Sequence, residues 1–219
     1  MASWPSRPDP FPRLYAILDV DAAAARGHAP LTLLDLWLDA GIRLVQLRAK
    51  YLSSGEFLVL ADRAVAAAHA VQATLIVNDR ADLARMAAAD GVHVGQDDLS
   101  PADARAVIGD AAIVGVSTHN DAQLRTAIDS GASYLAIGPV FATTTKERPD
   151  PVVGLSGLAA ARRSMGADRR PLVAIGGVTL ANAAAVLDAG ADAVAVIGDL
   201  LAGDPSRRAR AFVEALAAR

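Results

Sequence analysis

The segment QLRAK places Gln46, Arg48 and Lys50 at every second position, an amide followed by two cations. On an extended segment, residues two apart face the same way, so these three side chains share a direction. Two cations so close are costly to hold together without an anion between them. Further along, Asn78-Asp79 and Gly95-Gln96-Asp97-Asp98 each end a short apolar run. Asp79 and Asp98, coming from neighbouring strand ends, can converge on one hard cation. Mg2+ suits such a pair, because it takes one or two protein carboxylates and fills its shell with phosphate oxygens and water. A plainer reading makes Asp79 the cap of a helix starting at Arg80 and Asp98 the cap of one begun by Pro101. Asp97 reads as a solvated loop residue.

Ser117 and His119, in GVSTHN, offer a hydroxyl and an imidazole that can bind phosphate or move a proton, although residues of this kind also cap helices. His93, inside the run GVHVG, reads as a structural histidine. The segment GPVFATTTK puts Thr143, Thr145 and Lys146 in one long loop, where hydroxyls and an ammonium make a clamp for diphosphate. In IGGV and VIGD, Gly176, Gly177 and Gly198 lie just past apolar runs. Glycines there expose backbone N–H groups beside helix N-termini, a common arrangement for phosphate. Two separate anion sites emerge, one with a metal and cations and one made of backbone. Two phosphorylated small-molecule ligands follow from that.

Something must bring these segments to one place. From Arg13 onward, short runs rich in Val, Ile and Leu alternate with longer Ala-rich stretches of helical period, the pattern of parallel strands joined by crossover helices. Eight strands are expected, at 13–19, 43–48, 74–79, 91–95, 112–117, 133–138, 171–177 and 193–198. Helices are expected near 30–40, 55–70, 80–88, 101–108, 120–130, 155–165, 179–189 and 200–218. The segments LDAGIRLVQL, AADGVHVG, DSGASYLAIG and DAGADAVAVIG repeat one device, a glycine that ends a helix just before a strand. Eight such units with no break in rhythm predict an α/β fold, a (β/α)8 TIM barrel over residues 13–219 forming a single domain. An open doubly wound sheet is the competing fold. In the closed barrel all eight strand C-termini share one face, and every segment named above is at such an end.

Composition fits. The 219 residues are 53% hydrophobic and 21% charged, with a net charge of -3, which argues against nucleic acid as a partner because phosphate backbones need a surplus of Lys and Arg. No apolar run is long enough to span a membrane. The absence of cysteine removes disulfides and thiolate chemistry and fits a reducing, cytoplasmic compartment. Residues 1–12 hold four of the eleven prolines and no signal-like apolar stretch, so they are expected to be a flexible leader. A homo-oligomer is compatible with all of this.

Taken in order, QLRAK, VNDRADLA, ADGVHVGQDDL, GVSTHN, GPVFATTTK and AIGGV resemble the thiamine-phosphate synthase family over roughly residues 13–203. The resemblance implies a transferase that joins 4-amino-2-methyl-5-hydroxymethylpyrimidine diphosphate to 4-methyl-5-hydroxyethylthiazole phosphate and releases diphosphate. It implies that Gln46, Arg48, Lys50 and Asn78 hold the pyrimidine diphosphate, that Asp79 and Asp98 bind Mg2+, and that Ser117 and Lys146 also meet the diphosphate. Arg48, Lys50, Lys146 and Ser117 are then its catalytic groups. Thr143, Thr145 and Gly177, completed by Val196, Ile197 and Gly198, would bind the thiazole phosphate. The implied chemistry is a largely dissociative substitution that needs no side-chain nucleophile. Two departures stand out: Gly198 occupies a position where the family often has Ser, and Pro149 and Pro151 follow the clamp lysine. The rival readings are a thiazole tautomerase, which would use a histidine such as His119 and no metal, another sugar-phosphate barrel enzyme, and a binding protein without turnover.

Overall fold

The computed structural model of the chain describes residues 11–143 and 150–217. Eight parallel strands close into a barrel in chain order: β1 Leu14–Asp19, β2 Leu44–Arg48, β3 Thr74–Asn78, β4 Gly91–Val94, β5 Ile113–Thr118, β6 Tyr134–Ile137, β7 Leu172–Ala174 and β8 Ala193–Val196. β8 pairs with β1 through Leu14 and Val194, so the sheet has no free edge. The expected (β/α)8 barrel is the observed fold.

Alternation along the strands divides the core into two layers. Tyr15, Ile17, Leu44, Ile76, Ile113, Tyr134 and their neighbours fill the barrel interior. The opposite strand faces pack against helices α1 Val20–Ala24, α2 Pro30–Asp39, α3 Ser54–Ala70, α4 Ala81–Met86, α5 Pro101–Ile108, α6 Asp121–Ile128, α7 Gly154–Met165, α8 Ala183–Asp188 and α9 Pro205–Ala217. Register then aligns the strand ends, with Asp19 beside Arg48, Asn78 beside His93 and Ser117 beside Ala136. No described helix is long and apolar enough to cross a membrane.

Several element bounds differ from the sequence expectation. β7 stops at Ala174 and not at Gly177, because Gly176 and Gly177 take φ of 87° and 66° and turn the chain out of the sheet. The helix expected from residue 179 starts at Ala183, since the Asn182 side chain folds back to accept from Thr179 N at 2.8 Å. The stretch 200–218 is a 3-10 turn, Gly198–Leu201, followed by α9, which Pro205 opens at its first position. α1, a single turn after β1, was not expected.

Candidate active site

A cavity of about 570 Å3 opens at the C-terminal end of the barrel. Gln46, Arg48, Asn78, Ser117, Thr143, Gly177, Ile197 and Gly198, all singled out from the sequence, line it. Arg48, Asn78 and Ser117 are the last inward-facing residues of their strands, Gln46 sits one inward step deeper on β2, and Thr143, Gly177, Ile197 and Gly198 lie in the segments that follow β6, β7 and β8.

Arg48 is fixed by a residue that the sequence reading passed over. Its guanidinium forms an ion pair with Asp19 across the β1–β2 register, and Asp19 is buried. The other carboxylate oxygen of Asp19 accepts from Ala22 N at 2.8 Å and so caps α1. One carboxylate therefore starts a helix and aims a cation into the cavity. The signal was present, since Asp19 ends its strand as Asn78 and Ser117 end theirs.

Asp79 and Asp98 come together beside this cation cluster. Burial pushes the Asp79 carboxyl up, and its contact with Asp98 raises it further, to about 6, while Lys50 and Arg48 oppose the shift. Lys50 Nζ lies 3.9 Å from Asp79 Oδ2. Asp98 Oδ2 accepts from Gly95 N at 2.8 Å, which holds it at the end of its loop. Neither residue caps a helix. α4 begins at Arg80 without a side-chain cap, and α5 is capped by Ser100, whose Oγ accepts from Asp103 N. Asp79 itself has φ of 61°, a left-handed conformation that Asp and Asn enter more readily than most residues. Among the described residues no group of three or more His, Asp or Glu side chains converges. Two carboxylates suffice for Mg2+, which keeps water and substrate oxygens in its shell, and the mutual repulsion of this pair suits a divalent cation.

His93 is more than a structural histidine. It is buried in the barrel yet lines the cavity, with Nδ1 2.8 Å from Tyr134 Oη and Nε2 2.8 Å from Ser117 Oγ. Burial pushes it down to about 4, against a weak opposing pull from Asp98, so the ring is neutral near pH 7. Gly115 makes room for this arrangement, because a Cβ there would sit 2.1 Å from the Tyr134 ring. His119 lines the cavity too, donating from Nδ1 to Gly138 O at 2.7 Å, with Nε2 3.5 Å from Asp150 Oδ2.

On the far side of the barrel from the carboxylates, β7 and β8 supply the glycine turns. Gly177 passes so close to the preceding loop that a Cβ would lie 2.6 Å from Ala142 O. Asp199, next to Gly198, accepts from Leu180 N at 2.7 Å and pairs with Arg208, which ties the two turns together.

Not every expected residue joins the site. Val196 is buried, and its side chain packs in the strand–helix layer, because it falls between the inward-facing Ala195 and Ile197. Any contact it makes to a ligand is through its backbone. Thr145 and Lys146 lie outside the described residues. Tyr15 and Tyr134, which join the cavity to the barrel interior, were missed, although strand alternation places both inward.

The family profile described as thiamine monophosphate synthase matches residues 14–200. This chain belongs to the thiamine monophosphate synthase family. It is accordingly an enzyme of the transferase class. The thiamine-phosphate synthase of Koribacter versatilis is 51% identical over 208 residues, covering 94% of this chain and 96% of its own. That of Chloroflexus aurantiacus is 41% identical over 92% of each chain. Among solved structures, thiamine phosphate pyrophosphorylase from Pyrococcus furiosus superposes with a TM-score of 0.83 at 28% identity, covering 94% of this chain and 96% of that one. The matched span of the thiamine monophosphate synthase family runs from β1 to the turn after β8, and so contains every described strand end of the cavity.

Proposed function

We propose that the protein joins 4-amino-2-methyl-5-hydroxymethylpyrimidine diphosphate to 4-methyl-5-hydroxyethylthiazole phosphate, giving thiamine phosphate and diphosphate, or to the carboxylated form of that thiazole, which then also loses its carboxyl group as CO2. One observation carries the reading: Arg48 and Asn78 line one side of the cavity, with Lys50 and the Asp79–Asp98 pair clustered beside them at the strand ends, and the glycine turns at Gly177 and Gly198 line the other. A diphosphate fits the first side and a phosphate monoester the second.

In this reading Asp79 and Asp98 hold Mg2+, which when bound supplies positive charge to the diphosphate oxygens. Arg48, Lys50, Ser117 and Lys146 bind the same diphosphate and stabilise the negative charge it gathers as it leaves. The carbon–oxygen bond to the diphosphate breaks with its electron pair going to oxygen, and the thiazole nitrogen supplies the pair for the new carbon–nitrogen bond. Gln46 and Asn78 orient the pyrimidine. Thr143, Thr145, Gly177 and Gly198, with the backbone at Val196 and Ile197, hold the thiazole phosphate. Apolar walls from Ile17, Ala136, Ile175 and Ala195 keep water from the electron-poor carbon. No nucleophilic side chain is required, and the charge of the site suits departure of an anion. Small molecules are its partners.

The test is to incubate purified protein with both substrates, with and without Mg2+, and to measure diphosphate and thiamine phosphate. Equal amounts of both products, dependent on Mg2+, are expected. Absence of product from folded protein overturns the reading and favours a tautomerase or a binding protein.

A further inference from the structure

Four hydrogen bonds cross the barrel beneath the cavity in one unbroken chain. Gln46 Nε2 is 2.8 Å from Tyr15 Oη, Tyr15 Oη is 2.9 Å from Tyr134 Oη, Tyr134 Oη is 2.8 Å from His93 Nδ1, and His93 Nε2 is 2.8 Å from Ser117 Oγ. Tyr15 and Tyr134 are 1% and 0% exposed, and burial raises the phenol of each, so both keep their protons. A neutral imidazole has one N–H, so one ring nitrogen donates and the other accepts, and each hydroxyl has one proton to give. A change of direction within the chain would leave a buried phenol proton without an acceptor, or two lone pairs or two protons facing each other, at a cost of roughly 1–3 kcal/mol. The chain therefore runs in one of two senses.

In the first sense Gln46 donates to Tyr15, Tyr15 to Tyr134, Tyr134 to His93 and His93 to Ser117. The Ser117 proton is then free for the cavity, and Gln46 Oε1, which has no partner among the described residues, faces it as an acceptor. In the second sense every bond reverses. Ser117 then gives its proton to His93, and Gln46 turns its NH2 toward the cavity. Building on the proposed function, we infer that this chain couples the two ends of the cavity, so that an anion at Ser117, which must be met by a donor, obliges Gln46 to present an acceptor and thereby selects a pyrimidine bearing an amino group. Tyr15, Tyr134 and His93 are positioning residues in this scheme. They touch no reacting atom and set substrate choice by fixing proton direction.

The test compares kcat/KM for the aminopyrimidine diphosphate and for its counterpart with a 4-oxo group in place of the amine, in wild type, Tyr134→Phe and Tyr15→Phe. Wild type should prefer the amine by more than about a hundredfold. Either phenylalanine keeps the ring and cuts the chain, and should reduce that preference by about tenfold. Loss of turnover that is equal for both substrates, with the preference intact, overturns the inference, since a purely structural role predicts that result. A second measurement needs no variant and no turnover. Nitrogen-15 NMR of wild-type protein with Mg2+ and inorganic diphosphate should show His93 protonated at Nε2, and protonation at Nδ1 would overturn the coupling. If wild type converts neither substrate, the proposed function falls while the NMR result still judges the chain.

Discussion

Lys50 Nζ stands 3.9 Å from Asp79 Oδ2, yet Asp79 remains harder to ionise than an ordinary carboxyl, because burial and Asp98 outweigh the cation. A folded-state value raised to about 6 from 3.8 means that the folded protein binds this proton more tightly than the unfolded chain does. The resulting stabilisation is complete below pH 3.8 and is lost as the pH rises through 6. At pH 7.5 without metal, Asp79→Asn should therefore raise stability by about 1–2 kcal/mol while lowering Mg2+-dependent turnover by more than about a hundredfold. At pH 4.5 the stability gain should shrink. Asn is preferable to Ala, since φ of 61° would add backbone strain to an alanine variant. Melting curves at the two pH values, with a turnover assay, check this, and unchanged turnover would refute the metal assignment.

The same carboxyl makes metal affinity depend on pH. A cation has to displace the proton shared by the pair, so binding should weaken as pH falls through about 6. Between pH 7 and pH 5 the apparent Kd for Mg2+ should rise about tenfold, the factor by which one proton near pH 6 depletes the open form. Calorimetric titration without substrate reads this directly. An affinity flat across that range would mean that Asp79 is not a ligand.

Much of this was legible in the sequence because strand periodicity and strand-end chemistry coincide. Gln46, Arg48, Asn78 and Ser117 end apolar runs, and a barrel sends such residues to one rim. Helix bounds were less legible: nothing in TLANAAAVLDAG shows that Asn182 turns back on Thr179 and delays α8. Asp19 was passed over because its importance lies in a partner on another strand, 29 residues away. The link of His93 to Ser117 was hidden for the same reason, since pairing across a barrel depends on register, which periodicity leaves open. Strand alternation turns the Val196 side chain to the helices, so only its backbone is left to face the cavity.

Asp19 also separates positioning from folding. In Asp19→Asn the side-chain oxygen can still accept from Ala22 N, so α1 stays capped, but the ion pair with Arg48 is gone. Arg48 then loses its fixed aim. If Arg48 both binds the diphosphate and meets the charge that builds as it leaves, KM for the pyrimidine diphosphate should rise and kcat should fall, for a loss of about tenfold or more in kcat/KM. Unchanged kcat and KM would mean that Arg48 needs no aim from Asp19.

The two glycine turns should answer substitution in opposite ways. At Gly177, φ is 66° and an added Cβ would lie 2.6 Å from Ala142 O and 2.7 Å from Phe141 Cβ, so Gly177→Ala must push the preceding loop away as well as strain the backbone. We expect stability to fall by about 1–3 kcal/mol and KM for the thiazole phosphate to rise about tenfold or more. At Gly198 the space is open, and the nearest atom to an added Cβ is Arg26 Nη2 at 4.0 Å. Gly198→Ser adds a hydroxyl donor where we propose that the thiazole phosphate binds and meets no obstruction, so the melting temperature should stay put while KM for that substrate falls. Measured side by side, the pair distinguishes a turn shaped for a phosphate from one shaped only for chain reversal. If Gly198→Ser leaves that KM unchanged and Gly177→Ala alters stability alone, the phosphate does not bind at these turns.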